Sequence, residues 1–473
     1  MATDPEVFRQ YLTAILANIG SMGVGSIMGY ASPAGAYLTN NSTDKNDLYI
    51  TSSENSWFSS LSNLGASIGC ILAGFCLRYF GRRGTILYSS IIPTIGWILL
   101  ISAPNYLLLV TGRVITGLYC GIHTVAASTF IGEFSSSHIR GILGTFLQIF
   151  VFSGILLTYV FGGIFNSFRY NGAICAILPC ICSISILFVK ESPLYLISNG
   201  KELEAEESLK FYRGENYSSI VKEMKALKDS IEESRKNKAN LRDLLRRPNL
   251  KPFSVVLCLM IFQQTTGFMA VISNLALIFQ DPKMSADTSS IIAAVVNVAS
   301  SLICSSFVEK AGRKILLIIS GAIMAVSLAM MGVFFYLMEY HNSLSNSITW
   351  LPLLAVIIYL IGFSAGYGVL PWVLLGEIFA PEVKEMASSI SAAIVWGCAF
   401  LLSLLFKVLQ DMLHPFGVYF LFSGFCVLSV FYTLTSVYET KGKTLQEIND
   451  YYSGNENRSD EVMTLNSDTK DVA

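Results

Sequence analysis

The chain has 473 residues, of which 53% are hydrophobic and 14% charged, and its formal net charge is −1. A soluble domain carries about 25% charged residues, so this composition excludes an ordinary soluble protein and favours a membrane protein. The ten cysteines lie inside apolar segments without metal-ligand spacing, so we interpret them as packing residues. No metal or cofactor is expected.

Apolar runs of roughly 20 residues, long enough to cross a bilayer as helices, recur twelve times along the chain. They lie near residues 9–31, 57–79, 86–103, 107–131, 141–165, 170–189, 252–279, 288–308, 315–338, 350–375, 387–410 and 416–437. The runs are continuously apolar instead of alternating as barrel strands do. The predicted fold class is therefore an all-α membrane protein with twelve transmembrane helices.

The short loops between the runs differ in charge. One alternate set holds most of the basic residues, and the other set is nearly free of Lys and Arg. By the positive-inside rule the basic set is cytoplasmic, so both termini are expected in the cytoplasm of a multi-pass plasma-membrane protein. The first exterior loop then contains "NNST", which offers glycosylation acceptor triplets at Asn40 and Asn41. The polar N-terminus "MATDPEVFR" lacks a cleavable signal pattern, and we expect the first apolar run to act as the insertion signal.

A charged segment divides the runs six and six. Residues 191–250 include "KELEAEESLKFYR", and their apolar residues recur at helical spacing between Glu and Lys, which predicts short amphipathic helices. The expected organisation is a first six-helix bundle at 1–190, a cytoplasmic helical insert at 191–250, a second bundle at 251–440, and a cytoplasmic tail at 441–473. The tail is polar and poor in aromatic residues, so it is predicted to be mostly disordered.

The two sets of six runs form a parallel repeat. A basic turn follows the second run at Gly81 and the eighth at Gly312, and a Glu precedes a base by seven residues after the fourth and tenth runs. Bundles related in this way, with a substrate site between them near the bilayer midplane, are typical of secondary transporters.

The charged residues near the helix ends are candidates for ion pairs that form in only one conformation and so bias the equilibrium between outward-open and inward-open forms. This predicted gating set is Arg82, Arg83, Arg113, Glu133, Arg140, Glu309, Arg313, Lys314, Glu377 and Lys384. The alternative interpretation is that such charges anchor the topology by facing lipid headgroups.

Several motifs together resemble those of the sugar porters of the major facilitator superfamily, and in particular the insect facilitated trehalose transporters, which are related to animal glucose carriers. The similarity extends from the first run to about Glu447. The matching segments are "GRRG", "EKAGRK", "GRVITGLYCG", "ESPLYL", "QQTTG", "LPWVLLGEIF", "YETKGKTLQEI" and, for the trehalose group, "GYASPA".

The resemblance implies a sugar site built from amides of spans 5, 7 and 8 and a tryptophan of span 10. The corresponding residues are Gln148, Gln263, Gln264, Asn297 and Trp372. Amides both donate and accept hydrogen bonds, so they suit sugar hydroxyls without placing a charge in the membrane, and an aromatic face packs against the apolar side of the ring. Polar amides also serve as interhelical contacts, which is the alternative reading of these residues.

The sequence departs from the family pattern at several positions. Arg78 stands where the first turn motif has Asp or Asn. Met269 replaces the Asn that follows the double glutamine in most members, and Val395 and Ala399 occupy span-11 positions that are often polar. The resemblance therefore implies a site with fewer polar ligands than is usual.

The sequence also bears on energy coupling and on function class. No Asp, Glu or Lys lies centrally in any of the twelve runs, whereas a proton symporter needs an ionisable group in the membrane. His123 is the one candidate for such a group.

The preferred prediction is a facilitative, uniport carrier of trehalose or a hexose. The alternatives are a glucose or hexose carrier, a proton-linked symporter, and a sugar sensor that does not transport. The sequence has no nucleophile, metal cluster or paired carboxylates of an enzyme, and it leaves the oligomeric state open.

Overall fold

The structure is a computed structural model, and it describes residues 7–40, 48–136, 139–165, 167–215, 217, 219–236, 244, 247–273, 275, 286–305, 307, 311–341, 348–379, 381–441, 443, 447 and 451–452. Asn41 and Glu309 lie outside these residues, and the side chains of Glu377 and Lys384 lie outside what is described. The described regular structure is helical throughout.

The first half of the chain forms eight helices. They are α1 Val7–Gly29, α2 Ala31–Leu38, α3 Ser52–Ser89, α4 Ile91–Ile101, α5 Tyr106–Phe134, α6 Arg140–Phe165, α7 Phe168–Cys175 and α8 Ile177–Ile186. Three short helices follow in the predicted insert: α9 Pro193–Ser198, α10 Glu202–Arg213 and α11 Ile220–Lys236.

The second half of the chain contributes the remaining described helices. They are α12 Arg247–Thr265, α13 Phe268–Ser273, α14 Ala286–Ser305, α15 Arg313–Tyr340, α16 Leu351–Ala365, α17 Leu370–Glu377 and α18 Pro381–Ser436.

Ten described helical segments are long and apolar enough to cross a membrane, and two of them, of 50 and 51 residues, are each long enough for two spans. The first of the two, Ser52–Ile101, turns at Gly81, where φ is +77°, and the second turns inside α18 at His414, where φ is +58°. The total is the twelve spans that the sequence predicts.

We number the spans in chain order. Spans 1 to 6 are α1 with α2, α3 up to Gly81, the rest of α3 with α4, α5, α6, and α7 with α8. Spans 7 to 12 are α12 with α13, α14, α15, α16 with α17, and the two parts of α18. The predicted division of the chain into bundles, insert and tail stays a prediction.

Spans 2 and 4 pack backbone against backbone. A methyl group added at Gly117 would lie 2.1 Å from the carbonyl oxygen of Ser62, and one at Gly65 would lie 2.3 Å from that of Val114. Membrane helices lack a hydrophobic force between them and associate through such close contacts of small residues. The glycines of "GRVITGLYCG" therefore fix the core of the first half.

Large apolar side chains cover the outside of the bundle. Phe75, Ile98, Val326 and Phe431 are each about 60% exposed. An exposed apolar surface this extensive would promote aggregation in water, but it suits the hydrocarbon of a bilayer, in which helices satisfy their own backbone groups. The exposed pattern thus agrees with the twelve-span membrane fold.

The insert is docked on the first half. The Gln10 amide donates to the Tyr212 carbonyl oxygen at 3.1 Å and accepts from the Ser136 backbone at 2.8 Å. Arg213 donates to the Phe134 carbonyl oxygen at 2.8 Å, and the rings of Phe134 and Tyr212 stack with centroids 4.9 Å apart. Burial, reinforced by the neighbouring Glu191 carboxylate, raises the pKa of the Tyr212 phenol, so this ring stays neutral. We call this end of the bundle the insert end.

Candidate functional site

Span 7 carries the two predicted glutamines just before a break. Helix α12 ends at Thr265, and Gly267 has φ of +87° before α13 begins at Phe268. A methyl group at Gly267 would lie 2.5 Å from the Phe422 ring, so the turn needs glycine both for its backbone and for its space. The break falls in the second half of the described span, Asn249–Ile272.

Gln263 and Gln264 are both buried, with 4% and 8% of their surface exposed. The Gln263 amide nitrogen donates to the carbonyl oxygens of Tyr367 and Gly368 at 2.6 and 3.4 Å. The side-chain oxygens of both glutamines have no hydrogen-bond partner within the described part of the chain. Buried polar atoms are nearly always paired, so these two oxygens are candidates for contact with a bound molecule.

Span 10 breaks at the level of these glutamines. Helix α16 ends at Ala365 and α17 begins at Leu370. Asn297 of span 8 is 1% exposed, and its side-chain oxygen accepts from Ser364 at 2.8 Å, immediately before the break. Trp372 is half-buried and lies immediately after it. The predicted residues of spans 7, 8 and 10 thus converge on one break.

Gln148 reaches the same region from the first half. It is half-buried on α6, one turn before Phe152, and the Phe152 ring lies 6.0 Å from that of Phe268, the residue after the span-7 break. Residues one turn apart share a helix face, so Gln148 faces the second half near the other predicted ligands.

Three of the departures from the family pattern are buried, whereas Arg78 is exposed near the end of span 2. Met269, Val395 and Ala399 are at most 4% exposed. The Trp396 indole N–H, next to Val395, is buried without a partner among the described atoms. The sequence reading missed this N–H as a candidate ligand, and only the structure separates it from an ordinary packing tryptophan.

The halves touch each other between the middle of the bundle and the end opposite the insert. Asn63 of span 2 donates to Ser403 of span 11 at 3.3 Å, and Ser67 donates to the Ala393 carbonyl oxygen at 2.7 Å. Further along, the rings of Trp57 and Phe400 lie 6.2 Å apart. These contacts bring span 2 against span 11.

A second contact joins span 5 to span 7. The Tyr159 hydroxyl donates to the Ile272 carbonyl oxygen at 2.7 Å. Because Ile272 lies on α13, this bond holds the segment that follows the span-7 break against the first half. The sequence reading did not single out Tyr159.

An ion-pair network lies at the insert end of the first half. The Arg82 guanidinium pairs with Glu133 at 2.7 Å, both side chains 9% exposed, and Ser192 donates to the same carboxylate. The Glu191 carboxylate accepts from the backbone N–H groups of Arg82 and Arg83, both at 3.0 Å. These are the first N–H groups after the turn at Gly81, where a helix N-terminus favours a negative charge.

The second half repeats this arrangement. The Glu439 carboxylate accepts from the backbone N–H groups of Arg313 at 2.9 Å and Lys314 at 3.0 Å, after the turn at Gly312. The bases also match: Arg83 donates to the Ile186 carbonyl oxygen at 3.1 Å, and Lys314 donates to that of Leu434 at 2.9 Å. Each half therefore ties the start of its third span to the end of its sixth.

Two members of the predicted gating set have other partners than carboxylates. Arg113 is fully buried and donates to the carbonyl oxygens of Phe58 and Ile27 and to Ser62, at 2.7 to 3.0 Å. The ion pair expected from its charge is therefore not present within the described part of the chain. Instead, the guanidinium fork joins spans 1, 2 and 4. Arg140 donates to the Ser135 carbonyl oxygen at 3.3 Å.

His123 lies in the interior of the first half. Its Nε2 is 3.3 Å from the Ser21 hydroxyl, and its Nδ1 is buried without a partner among the described residues.

The ten cysteines are free, and the described residues contain no group of three His, Cys, Asp or Glu side chains that could hold a metal. Asn40, the described glycosylation candidate, is exposed.

The fold defines a class, a membrane transporter of twelve spans, and the buried amides are candidates for its substrate site. A profile for sugar (and other) transporters matches residues 14–452. The chain belongs to this family, and it has the major facilitator fold. The family is one of transporters and not of enzymes, and its substrates are small molecules that cross a membrane.

Individual relatives agree with this assignment. The chain is 36% identical to the facilitated trehalose transporter Tret1 of Bombyx mori, with 93% of this chain and 86% of that protein covered. It is 33% identical to the Drosophila virilis protein of the same name, covering 97% of this chain but only 50% of the relative. The chain thus spans about half the length of some relatives that it matches. A solved structure of the proton:xylose symporter XylE bound to 6-bromo-6-deoxy-D-glucose superposes with a TM-score of 0.81 at 25% identity, over 94% of this chain and 99% of XylE.

Proposed function

We propose that this protein is a facilitative carrier that moves trehalose or a hexose across the plasma membrane by alternating access between its two halves. The observation that carries the proposal is the pair of buried side-chain oxygens of Gln263 and Gln264, which have no partner among the described residues. They stand beside a broken helix near the middle of the bundle, where a neutral polyhydroxy ligand supplies the missing donors.

The choice of sugar rests on similarity. The relatives are named facilitated trehalose transporters, and trehalose and glucose present the same kind of hydroxyl pattern to an amide site. Asn297 and Trp372 converge on the same break and complete the proposed site, with Gln148 facing it from the first half.

Uniport, without proton coupling, is supported by the charges in the interior. The charge of the deeply buried Arg113 is stabilised by carbonyl oxygens and a hydroxyl, and no carboxylate that a proton could discharge pairs with it among the described residues. A buried acid is the usual proton carrier in a membrane transporter, and the sequence places none centrally in a span.

Proton-linked symport is the second candidate. XylE is named a proton:xylose symporter, and the buried His123 Nδ1 lacks a partner among the described atoms. A transported proton would then have to reach His123 through the polar side chains of span 1, of which Ser21 is in contact with the ring.

The proposed orientation places the insert end in the cytoplasm, together with both termini. In this orientation the Arg82–Glu133 pair and the two carboxylate-capped turns lie on the cytoplasmic side, where the basic loops are favoured. The gating role of these charges is part of the proposal, and the contacts between the halves at the opposite end are its exterior counterpart.

The test is uptake of radiolabelled trehalose and glucose in oocytes, with and without a pH gradient, normalised to protein at the cell surface. Gln263→Ala removes the proposed ligand, and Gln410→Ala, near the far end of span 11, is the matched control. We expect saturable uptake that does not depend on the pH gradient. Uptake should fall at least tenfold in Gln263→Ala because a buried donor–acceptor set is lost, and it should persist in Gln410→Ala.

Each other outcome identifies a different carrier. Uptake of glucose alone makes this protein a hexose carrier. Uptake that rises with an inward proton gradient and is lost in His123→Ala supports symport. No uptake of either sugar by protein that is present at the surface contradicts the proposed function.

A further inference from the structure

The two broken spans of the second half leave backbone carbonyls outside the regular bonding of their helices. Span 7 is interrupted between Thr265 and Phe268, and span 10 between Ala365 and Leu370. Carbonyls freed by a helix break inside a bilayer must be satisfied by other protein groups. The question is which groups do so.

At each break, a side chain from the other broken span donates a hydrogen bond to a backbone carbonyl oxygen. Gln263 of span 7 donates to the Tyr367 carbonyl oxygen of span 10 at 2.6 Å and to that of Gly368 at 3.4 Å. In return, the Tyr359 hydroxyl of span 10 donates to the Thr266 carbonyl oxygen of span 7 at 3.2 Å. Gln263, Tyr359, Thr266 and Tyr367 are at most 4% exposed, so water does not replace these bonds.

The rings between the breaks reinforce the arrangement. Phe268, which follows the span-7 break, stacks on Phe363 of span 10 with centroids 4.0 Å apart and planes 4° from parallel. Tyr367 is itself held from the other side, because its N–H donates to Ser320 of span 9 at 3.2 Å and its hydroxyl donates to the Ser429 carbonyl oxygen of span 12 at 3.3 Å. The span-10 break is therefore a fixed point to which span 7 is tied.

The bonds also fix which end of the Gln263 amide faces the interior of the site. A backbone carbonyl oxygen only accepts, so the NH₂ group must point at Tyr367 and Gly368. The side-chain oxygen then points away, buried and without a partner in the described part of the chain. Gln263 has no free donor left for a substrate.

Building on the proposed sugar transport, we propose that Gln263 and Tyr359 form a reciprocal lock that couples the bending of spans 7 and 10, and that Gln263 meets the sugar only as a hydrogen-bond acceptor. A sugar hydroxyl that donates to the Gln263 oxygen polarises the amide and strengthens its bond to Tyr367. Binding thereby stabilises the joined form of both breaks.

The first test is Tyr359→Phe, which keeps the ring and removes the hydroxyl that bonds Thr266. Tyr359 donates to the protein and not to the sugar, so the lock predicts a maximal uptake rate lowered about threefold to tenfold, the effect of one neutral hydrogen bond, with KM unchanged. Tyr419→Phe is the matched control, because the buried Tyr419 hydroxyl has no partner among the described residues. A Tyr359→Phe protein that matches the control overturns the lock, as does a changed KM with an unchanged maximal rate.

The second test separates acceptor from donor at Gln263. Deoxy and fluoro derivatives of the transported sugar are compared as inhibitors of uptake, position by position, in the wild type and in Gln263→Met. Fluorine accepts hydrogen bonds weakly and cannot donate. If Gln263 only accepts, then at the one sugar position that donates to it the deoxy and the fluoro derivative should inhibit the wild type equally poorly. Neither change should weaken inhibition of the Gln263→Met variant. Inhibition retained by the fluoro sugar but lost by the deoxy sugar at that position contradicts the assigned orientation.

A third measurement does not depend on transport. Thermal unfolding of the purified protein in detergent is recorded for Gln263→Met, Tyr359→Phe and the double variant. Residues of one network are not additive, so the double variant should lose less melting temperature than the two single losses together. If the losses of melting temperature are additive, the lock is contradicted. If the protein takes up no sugar but the losses are not additive, only the proposed function is rejected.

Discussion

The two halves share a repeat but differ in how their helices are packed. Glycines of the first half bring backbones together: a methyl group at Gly117 or Gly65 would lie within 2.3 Å of a carbonyl oxygen of the neighbouring span. Several glycines of the second half meet side chains instead, as Gly321 meets Val430 and Gly332 meets the Phe420 ring, although a methyl group at Gly366 would lie 2.8 Å from the Leu316 carbonyl oxygen.

Spans 4 and 10, which correspond in the two halves, differ in continuity. Span 4 runs unbroken from Tyr106 to Phe134, whereas its counterpart, span 10, is interrupted before Leu370. Backbone contacts resist deformation because main-chain atoms cannot change rotamer, while side chains can repack. We infer that spans 2 and 4 form a rigid frame in the first half and that spans 7 and 10 of the second half are the part that bends.

The largest expected effect comes from disturbing the rigid frame. Gly117→Ala places a Cβ atom 2.1 Å from the Ser62 carbonyl oxygen, and neither helix can yield without moving away from the other. We expect a loss of roughly 3 kcal/mol of stability, the upper range of overpacking costs. The measurement is the melting temperature in detergent. Gly144→Ala, where a methyl group meets nothing within 4 Å, is the control, and equal melting temperatures for the two variants would refute the frame.

A smaller effect is expected at the hinge of the second half. Gly267→Ala strains a backbone with φ of +87° and meets the Phe422 ring at 2.5 Å, but a ring can shift. The left-handed conformation alone costs an alanine about 1–2 kcal/mol. Transport should fall more than stability does, because the break itself is altered. The measurement is the uptake rate per molecule at the cell surface for Gly267→Ala. The control is Gly424→Ala, where a methyl group meets nothing within 4 Å. An unchanged rate in Gly267→Ala would mean that the break does not bend during transport.

The smallest effect compares the two capped turns directly. Glu191→Gln and Glu439→Gln each replace a charged acceptor by an amide that turns one NH₂ group toward backbone N–H donors. Glu191 also accepts from Gly84 and Ser192, whereas Glu439 accepts from one further backbone N–H, that of Lys441. The loss of Glu191 should therefore cost more, about 1–2 kcal/mol against about 1 kcal/mol for Glu439. Melting temperatures of the two variants check the order, and a larger loss at Glu439 would show that the second half depends more on its cap.

The sequence predicts the fold well because a bilayer imposes simple rules. Twelve apolar runs become twelve spans, and the turns at Gly81 and Gly312 fall at the same place in each half, since hydrocarbon thickness sets the length of each run. The polar site is harder to predict from the sequence. Gln263 is recognisable as a residue type, but its partner Tyr367 is 104 positions away, and no local pattern reports that a second helix breaks beside it.

The charged residues are a mixed case, because the ion pair predicted for Arg82 and Glu133 is present while other members of the set have different partners. Arg113 belongs to the predicted gating set, yet carbonyl oxygens of two neighbouring spans accept its hydrogen bonds. The reverse holds for Glu191 and Glu439, which the sequence presents only as parts of motifs. Their backbone partners carry no side-chain signature, so residue types alone do not identify them.

The origin of each cap has a consequence for the ancestry of the chain. Glu191 caps a turn of the first half and Glu439 a turn of the second, so neither half borrows its closing carboxylate from the other. A gene segment encoding one half therefore carries both the helix start and the group that stabilises it. Two such segments joined end to end contain every cap that the two turns require.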